Sequence, residues 1–476
     1  MGSGGFVSFS LCFNFKAFPS KAGAMQSSSD ITDTIFALSS APGRAGVSVF
    51  RLSGPQSEGA LKAITKRPTP KARQAALRII YDVRGEVLDH PLVFWFPAPK
   101  SFTGEDCAEL HVHGSPAVLE GVAEALLALG LRQAKAGEFT RRAVENNKMD
   151  LTEAEGLADL IDAETEGQRR QALQHMDGGL RDIYEGWRDG LLDAMAQIEG
   201  EIDFADEADV PDALSHAAYP HLKTCAEAME AALSELGRGE AIRSGVQIAI
   251  VGVPNAGKST LMNHLAKRDV AITSSEAGTT RDVIEASIRL AGLPVTLSDM
   301  AGLRETENVI EAEGVQRALK RAEDAHIRLF VLRPDVDEDL VGQFESLAVE
   351  HKFGDIIYIN KSNTYSKNNN KVSDKATIYG NALSGDSIDA LLAHFETVIG
   401  ETYTQQGVAG LTRQRHADCV RKTLSAARRG MENLGYAPEL ASDDIRMALQ
   451  ALEELAGSSD IEQVFDRIFS RFCIGK

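Results

Sequence analysis

Residues 246–260 read VQIAIVGVPNAGKST. The run VQIAIVG has the length and β-branched content of a buried strand. The overlapping stretch GVPNAGKST (252–260) fits Gly-x-x-x-x-Gly-Lys-Ser and leads into an amphipathic segment. A strand, a glycine-rich loop and a helix in that order make a phosphate-binding loop. Gly252 and Gly257 let backbone N–H groups turn toward a phosphate at a helix N-terminus. Lys258 brings a cation to the β- and γ-phosphates, and Ser259 offers a hydroxyl to Mg²⁺. Asn255, Ala256 and Thr260 complete the nucleotide-facing stretch. An ordinary glycine-rich turn does not explain this context.

Two further pieces lie at the right distances downstream. AGTTRD (277–282) offers Thr280 as a second hydroxyl for Mg²⁺, the kind of ligand that orders only when γ-phosphate is present. DMAGLR (299–304) ends a strand, with Asp299 near the metal and the Gly302 N–H free for γ-phosphate. Three motifs in this order predict a nucleotide switch. The residue after Gly302 is Leu303, where related switches use a glutamine to orient the attacking water. Leucine cannot do so, which leaves an arginine from a partner, or a bound cation with another carboxylate. INKSN (359–363) supplies Asn360 and Lys361 of a guanine-reading Asn-Lys-x-Asp element, but Asn363 replaces the aspartate. An amide oxygen still accepts from guanine N1–H, while its NH₂ faces the guanine NH₂, donor against donor. Losing a charge-assisted bond costs roughly 1.5–3 kcal/mol, about ten- to a hundred-fold in affinity. Xanthine, with a carbonyl at C2, suits the amide better, so weakened GTP selectivity is expected. Asn381-Ala382 stands where a Ser-Ala pair closes such a pocket.

Working outward, strand-like runs VTLSDM, IRLFVL and DIIYIN alternate with helical stretches to about residue 400, predicting a mostly parallel sheet with helices on both faces. On the N-terminal side, TIFALSS, GVSVFRLSG, LVFWFPAP and AELHVHG are short strands joined by turns, with one helix near 116–129, an α+β unit. LTEAEGLADLIDAETEGQRRQALQHM (151–176) spaces apolar residues as one long amphipathic helix. Helical pattern returns after Leu411 and runs to SSDIEQVFDRIFSRF, where Ser459 and Glu462 have capping-box spacing. Two helical blocks flanking an α/β unit predict that the unit is inserted into one helical domain.

The chain has 476 residues and a formal net charge of −19, which opposes non-specific nucleic-acid binding through a basic surface. Five scattered cysteines with no Cys-x-x-Cys read as a reduced, intracellular set. No apolar run reaches the roughly 18 residues of a membrane span. Residues 1–29 lack Asp and Glu, and read as an organellar presequence or, in preference, an over-long gene start ahead of Met25. His111 and His113 alternate on a strand with no third ligand in view, and read as ordinary strand residues. Arg141-Arg142, Arg169-Arg170 and RRG (428–430) could contact a nucleic acid or stand as solvated helix faces, the commoner case, and remain unassigned.

These motifs, with PGRAGVSVFRLSG (42–54), FTGEDCAELHVHG (102–114), AGEFTRRAVENNKMDLTEAEGLADLIDA (136–163) and the terminal FCIGK (472–476), resemble the tRNA-modifying GTPase family MnmE (TrmE) from about Thr34 onward. The resemblance implies an α+β folate-binding and dimerisation domain (31–147) after an extension (1–30), and a helical domain in two parts (148–242 and 403–476). A Ras-like GTPase domain (243–402) is inserted between those parts. It implies GTP, Mg²⁺, K⁺ and 5-formyltetrahydrofolate (or the methylene form) as ligands. Partners would be an FAD-dependent MnmG (GidA) subunit in a heterotetramer, and tRNA modified at C5 of its wobble uridine. The implied setting is a cytoplasmic homodimer with no membrane. Carried over residue by residue, Asn255, Ser274, Glu276 and Thr279 match K⁺ ligands, although the family's Thr-Asp-Ile is Ser274-Ser275-Glu276 here. Glu311 matches the carboxylate that positions water, taking the place left by Leu303. Arg51, Glu109, Lys148 and Lys476 match folate contacts, where Arg and Lys suit carboxylates and Glu109 suits pterin N–H groups. Cys473 reads equally as a thiol near the modification site or as a small buried hydrophobe. The rival reading is a GTPase switch in ribosome assembly or translation without modification chemistry; the terminal Cys and Lys discriminate between the two.

Overall fold

The computed structural model of the chain describes residues 33–41, 43–203, 214–268, 285–300, 320–334, 340–345, 355–361, 376–385, 387–403, 410–457, 462–470, 472 and 475. Ser274, Glu276, Thr279, Thr280, Gly302, Glu311, Asn363, Ser459, Cys473 and Lys476 lie outside the described residues. Contacts divide the chain into two units, Met1–Ala134 with Gly475, and Lys135–Ile474 with Lys476.

The first unit contains β1 (Ile35–Leu38), β2 (Ala45–Ser53), α1 (Ser57–Thr65), β3 (Ala76–Leu77), β4 (Ile80–Tyr81), β5 (Val87–Asp89), β6 (Leu92–Phe96), β7 (Cys107–Gly114), α2 (Pro116–Ala128) and β8 (Arg132–Gln133). Six of the strands form one sheet in the order β3-β6-β7-β2-β1-β8. The period-2 alternation of its strands sorts side chains onto two faces. Phe50, Leu52, Val93, Trp95, Leu110 and Val112 are buried with the apolar sides of α1 and α2. The other face carries Arg51, Phe94, Phe96, Glu109 and His111, all partly exposed. The single helix expected near 116–129 is α2, capped by Ser115 and opened by Pro116. Helix α1 was not expected; Ala60, Leu61 and Ile64 give it a buried stripe too short to stand out in sequence.

In the second unit α3 (Glu138–Glu145), α4 (Leu151–Asp162), α5 (Glu166–Met176), α6 (Gly179–Asp203), α7 (Leu214–Ser234) and α8 (Leu236–Ser244) lead into β9 (Val246–Gly252) and α9 (Lys258–Arg268). Then come β10 (Glu285–Leu290), β11 (Leu293–Asp299), β12 (Ile327–Leu332), α10 (Leu340–Glu345), β13 (Ile356–Ile359), β14 (Ala376–Tyr379) and α11 (Ile388–Tyr403). The chain closes with α12 (Gln414–Asn433), α13 (Pro438–Ala456) and α14 (Glu462–Phe469). Leu180, Trp187, Leu191, Leu222 and Met229 share one buried cluster with Leu411, Val420, Leu424, Ile445 and Leu452. Helices from before and after the sheet thus build a single core, so the α/β portion is an insertion. The sheet runs β10-β11-β9-β12-β13-β14. Only β10 is antiparallel to its neighbour among the described pairs. Apolar clusters cover both of its faces, as a parallel sheet requires.

The long helix expected over 151–176 is two helices. Ala163 is extended, and Thr165 restarts the helix with a capping box in which its side chain and that of Gln168 exchange bonds with each other's backbone. The apolar period continues across the break, which hid it. Arg141, Arg142, Arg169, Arg170, Arg428 and Arg429 all pair with carboxylates of their own unit. No helix among the described residues is long and apolar enough to cross a membrane.

Candidate nucleotide site and candidate folate face

Strand β9 lies at the centre of the inserted sheet, and the loop after it turns at the strand's C-terminal edge into α9. The turn demands glycine twice. A Cβ at Gly252 would stand 2.4 Å from the carbonyl of Val331 on β12. Gly257 has φ +95°, and a Cβ there would stand 2.2 Å from Asn360 Nδ2. Asn255, at the loop's tip, is left-handed with φ +60°. Its carbonyl accepts from Arg333 Nη1 at 3.4 Å, a contact the sequence did not signal.

Inside this loop Lys258 is buried and folds back, donating to the carbonyls of Gly252 (2.8 Å) and Val253 (3.2 Å). Burial pushes its ammonium below the usual value, and nearby Asp299 pulls it back up. Ser259 Oγ donates to Asp299 Oδ2 at 2.6 Å, so the two motifs 40 residues apart in sequence meet. Asp299 Oδ1 is buried with no hydrogen-bond partner. A buried carboxylate oxygen left open beside an exposed hydroxyl is a pair of hard oxygens of the kind Mg²⁺ takes, directly or through water.

Asn360 works as a structural clamp. Its Nδ2 donates to Ala256 O (2.6 Å), and its Oδ1 accepts from the backbone N–H groups of Lys361 (2.9 Å) and Ala382 (2.8 Å). One amide therefore joins three loops of the nucleotide pocket. Lys361 is left-handed with φ +58°. The departure at Asn381 has a local explanation: its Oδ1 accepts from Leu383 N at 2.9 Å, the turn-forming bond that a serine hydroxyl would otherwise make.

On the first unit's open sheet face, Arg51 and Glu109 stand directly opposite on β2 and β7. Arg51 Nε and Nη2 both reach Glu109 Oε1, at 3.2 and 3.1 Å. His111 Nε2 lies 3.2 Å from Glu109 Oε2, and the Phe94 ring is 4.8 Å from the His111 ring. The Arg51 guanidinium also sits 5.1 Å from the Phe102 ring. His113 faces Asp89 instead, at 2.7 Å, so the two histidines do not act as a pair. Among the described residues no group of three His, Cys, Asp or Glu could hold a metal. Lys148 belongs to the second unit and is exposed. Gly475 belongs to the first unit. Ser39 Oγ donates to its carbonyl at 2.9 Å, its φ is +100°, and a Cβ would stand 2.4 Å from Leu38 O. Gly475 is thus seated against the end of β1, the strand beside the one that carries Arg51.

Family models match the chain over nearly its whole length beyond residue 33: "GTP-binding protein TrmE N-terminus" over residues 34–148, and "MnmE helical domain" over 151–473. A relative from Maricaulis maris, named tRNA modification GTPase MnmE, is 52% identical over 444 residues, covering 93% of this chain and 99% of the relative. The chain belongs to the MnmE family. MnmE relatives of the same name from Parvibaculum lavamentivorans and Paramagnetospirillum magneticum are 47% and 44% identical, covering 93% and 94% of this chain and all of each relative. Within the MnmE frame, residues singled out by sequence meet at two places. Ser259, Lys258 and Asp299 gather at the loop, and Arg51 with Glu109 on the open sheet face. Cys225 and Cys419 are free thiols in the helical core, and Cys107, also free, is buried against the Ser53 and Thr103 hydroxyls.

Proposed function

We propose that the chain hydrolyses GTP in the service of tRNA modification. The observation that carries this reading is the meeting of Ser259 and Asp299 beside the Lys258 loop, with Asp299 Oδ1 left open. Ser259 and Asp299 would hold Mg²⁺ together with Thr280; the ion, when bound, neutralises charge on the β- and γ-phosphates. Lys258 uses two of its three N–H bonds on loop carbonyls and keeps the third for phosphate. The N–H groups of residues 255–260 bind the phosphates, and Asn360, Lys361, Asn363, Asn381 and Ala382 form the base pocket. Glu311 positions the attacking water, whose oxygen bonds to the γ-phosphorus as the β–γ bridging oxygen leaves with GDP. Asn255, Ser274, Glu276 and Thr279 would hold K⁺, which would supply the positive charge that an arginine finger supplies in other GTPases.

On the first unit, Arg51, Glu109 and the neighbouring Phe94–His111 pair offer a cation, a carboxylate and flat rings. That donor set fits a tetrahydrofolate, with Lys148 and Lys476 as further cations for its glutamate tail. The folate supplies a one-carbon unit. An FAD-dependent partner supplies redox chemistry, and the product is a carboxymethylaminomethyl or aminomethyl group at C5 of wobble uridine. The chain acts as a homodimer in the cytoplasm.

The test is hydrolysis by the full chain in K⁺ against Na⁺, with Ser259→Ala as control, alongside nucleoside analysis of tRNA from cells lacking the chain. Hydrolysis stimulated by K⁺ and lost in Ser259→Ala, with wobble modification missing in the deleted strain, is the expected outcome. Normal wobble modification in that strain would refute the modification role.

A further inference from the structure

Helix α5 touches the inserted α/β portion at one end and the helical core at the other. Its first turn has backbone N–H groups with no partner inside the helix. One of them, Gly167 N–H, donates to Gly292 O at 3.2 Å, in the turn between β10 and β11. The contact is close: a Cβ at Gly167 would stand 2.5 Å from the Leu293 Cδ2 tip and 3.1 Å from Gly292 O, so either the leucine or the turn would have to shift. Leu293 opens β11, and Asp299 closes it at the Ser259 hydroxyl. The strand is a rod of about 20 Å between the nucleotide loop and α5.

At the next position along α5, Gln168 Nε2 donates to Arg243 O at 2.9 Å, and Arg243 Nε donates to Thr412 O at 2.9 Å. Those two bonds tie the chain's entry into the insertion to its exit from it. Further along, Gln171 Nε2 donates to Gly239 O, and His175 Nε2 lies 3.1 Å from Gly410 O. The far end of α5 is pressed on α4, where a Cβ at Gly156 would stand 2.7 Å from Met176 N. On α4, buried Glu155 accepts from Arg415 Nη2 (2.8 Å) and lies 2.7 Å from His416 Nε2, while Asp159 accepts from Arg413 Nη2 (2.7 Å).

The geometry points to α5 as the transmission element of the nucleotide cycle: the β10–β11 turn, docked on its first turn, passes displacement of β11 to the Glu155 cluster and the helical core. Resting on the nucleotide-switch reading above, this adds the route by which the switch is felt outside the inserted portion. The coupling acts through a two-state contact, docked or undocked, at Gly167.

Hydrogen exchange on the full chain tests it, with no nucleotide, with GDP and Mg²⁺, and with a non-hydrolysable GTP analogue, Mg²⁺ and K⁺. In the wild type, amide exchange over residues 166–170 should differ by about fivefold or more between nucleotide states. Gly167→Ala should remove that dependence and leave GTP hydrolysis within about twofold of wild type, since Gly167 touches no nucleotide-binding residue. Nucleotide that binds without changing exchange in α5 would overturn the inference and leave the GTPase reading standing, as would an unaltered dependence in Gly167→Ala. Failure of any nucleotide to bind would overturn both. The wild-type comparison decides the matter even if the variant folds poorly.

Discussion

Asn360 shows how one side chain holds a site together. Its amide makes three bonds to backbone groups of three loops while almost fully buried. Removing it takes bonds from the buried Ala256 carbonyl and the buried Ala382 N–H, and each such loss costs on the order of 1–3 kcal/mol. Asn360→Ala should therefore lower nucleotide affinity by at least about tenfold and also destabilise the nucleotide-free protein. Titration calorimetry and thermal melting without nucleotide check the two halves separately; unchanged melting would mean that the amide serves only the ligand. At Asn363 the expectation is chemical: Asn363→Asp should raise affinity for GTP over xanthosine triphosphate by about ten- to a hundred-fold. Competition binding with both nucleotides measures it, and equal preference in the two proteins would show that neighbouring contacts compensate. At this scale sequence was a good guide to residue type and a poor one to partners. Lys258, Ser259 and Asp299 could be named from spacing. Asn381 could be named as a departure from serine, but the turn-forming bond that it accepts from Leu383 N–H could not.

Elements were legible where the periodicity was long and uninterrupted. Strands β9, β12 and β13 were readable because two-sided burial makes them nearly continuous apolar runs, and β11 because the Asp-Met-Ala-Gly motif marks its end. β10 was not, because EASIRL lies at the sheet's edge and alternates polar with apolar. The α4–α5 break is hidden because helical spacing of apolar residues survives it, and only the Thr165–Gln168 box marks it. The seat of Gly475 is an element-scale fact of the same kind. Gly475 has a left-handed φ and no room for a Cβ, so Gly475→Ala should detach this position from the end of β1. The expected result is tRNA modification reduced by about tenfold or more with GTP hydrolysis nearly unchanged, since Gly475 belongs to the first unit and the nucleotide loop to the second. Nucleoside analysis beside a phosphate-release assay reads both, and intact modification would remove the terminus from the chemistry.

Across the second unit, the Glu155 cluster sets how stability depends on pH. Burial pushes the His175 imidazole down to about 4, with His416 adding to the effect, and burial lowers His416 as well. His416 Nδ1 already accepts the Thr412 N–H, at 3.4 Å, so adding a proton there would break that bond. Burial alone would raise the Glu155 carboxyl, but Arg415, His416 and Arg413 hold it well below the usual range. The unfolded chain therefore binds protons that the folded one refuses. Stability should be flat above the ordinary histidine value of about 6.5 and fall as pH drops from there toward 4, by about 1–3 kcal/mol from His175 alone. Urea unfolding at a series of pH values should show this loss, and His175→Gln should flatten it; an equal slope in that variant would place the linkage elsewhere. None of this was visible in the sequence, since it depends on residues 155, 175 and 416 meeting only in the fold.

The helical core is built from stretches on either side of the insertion, and that has a consequence for how the chain is made. When α6 and α7 leave the ribosome they can pack on each other, but the parts of their apolar faces that meet α12 and α13 stay uncovered until those helices emerge. The whole α/β insertion must be translated in between, which at usual rates takes on the order of ten seconds. The insertion can complete its own sheet in that interval, whereas the first helices wait with apolar surface open to chaperones or to neighbouring nascent chains.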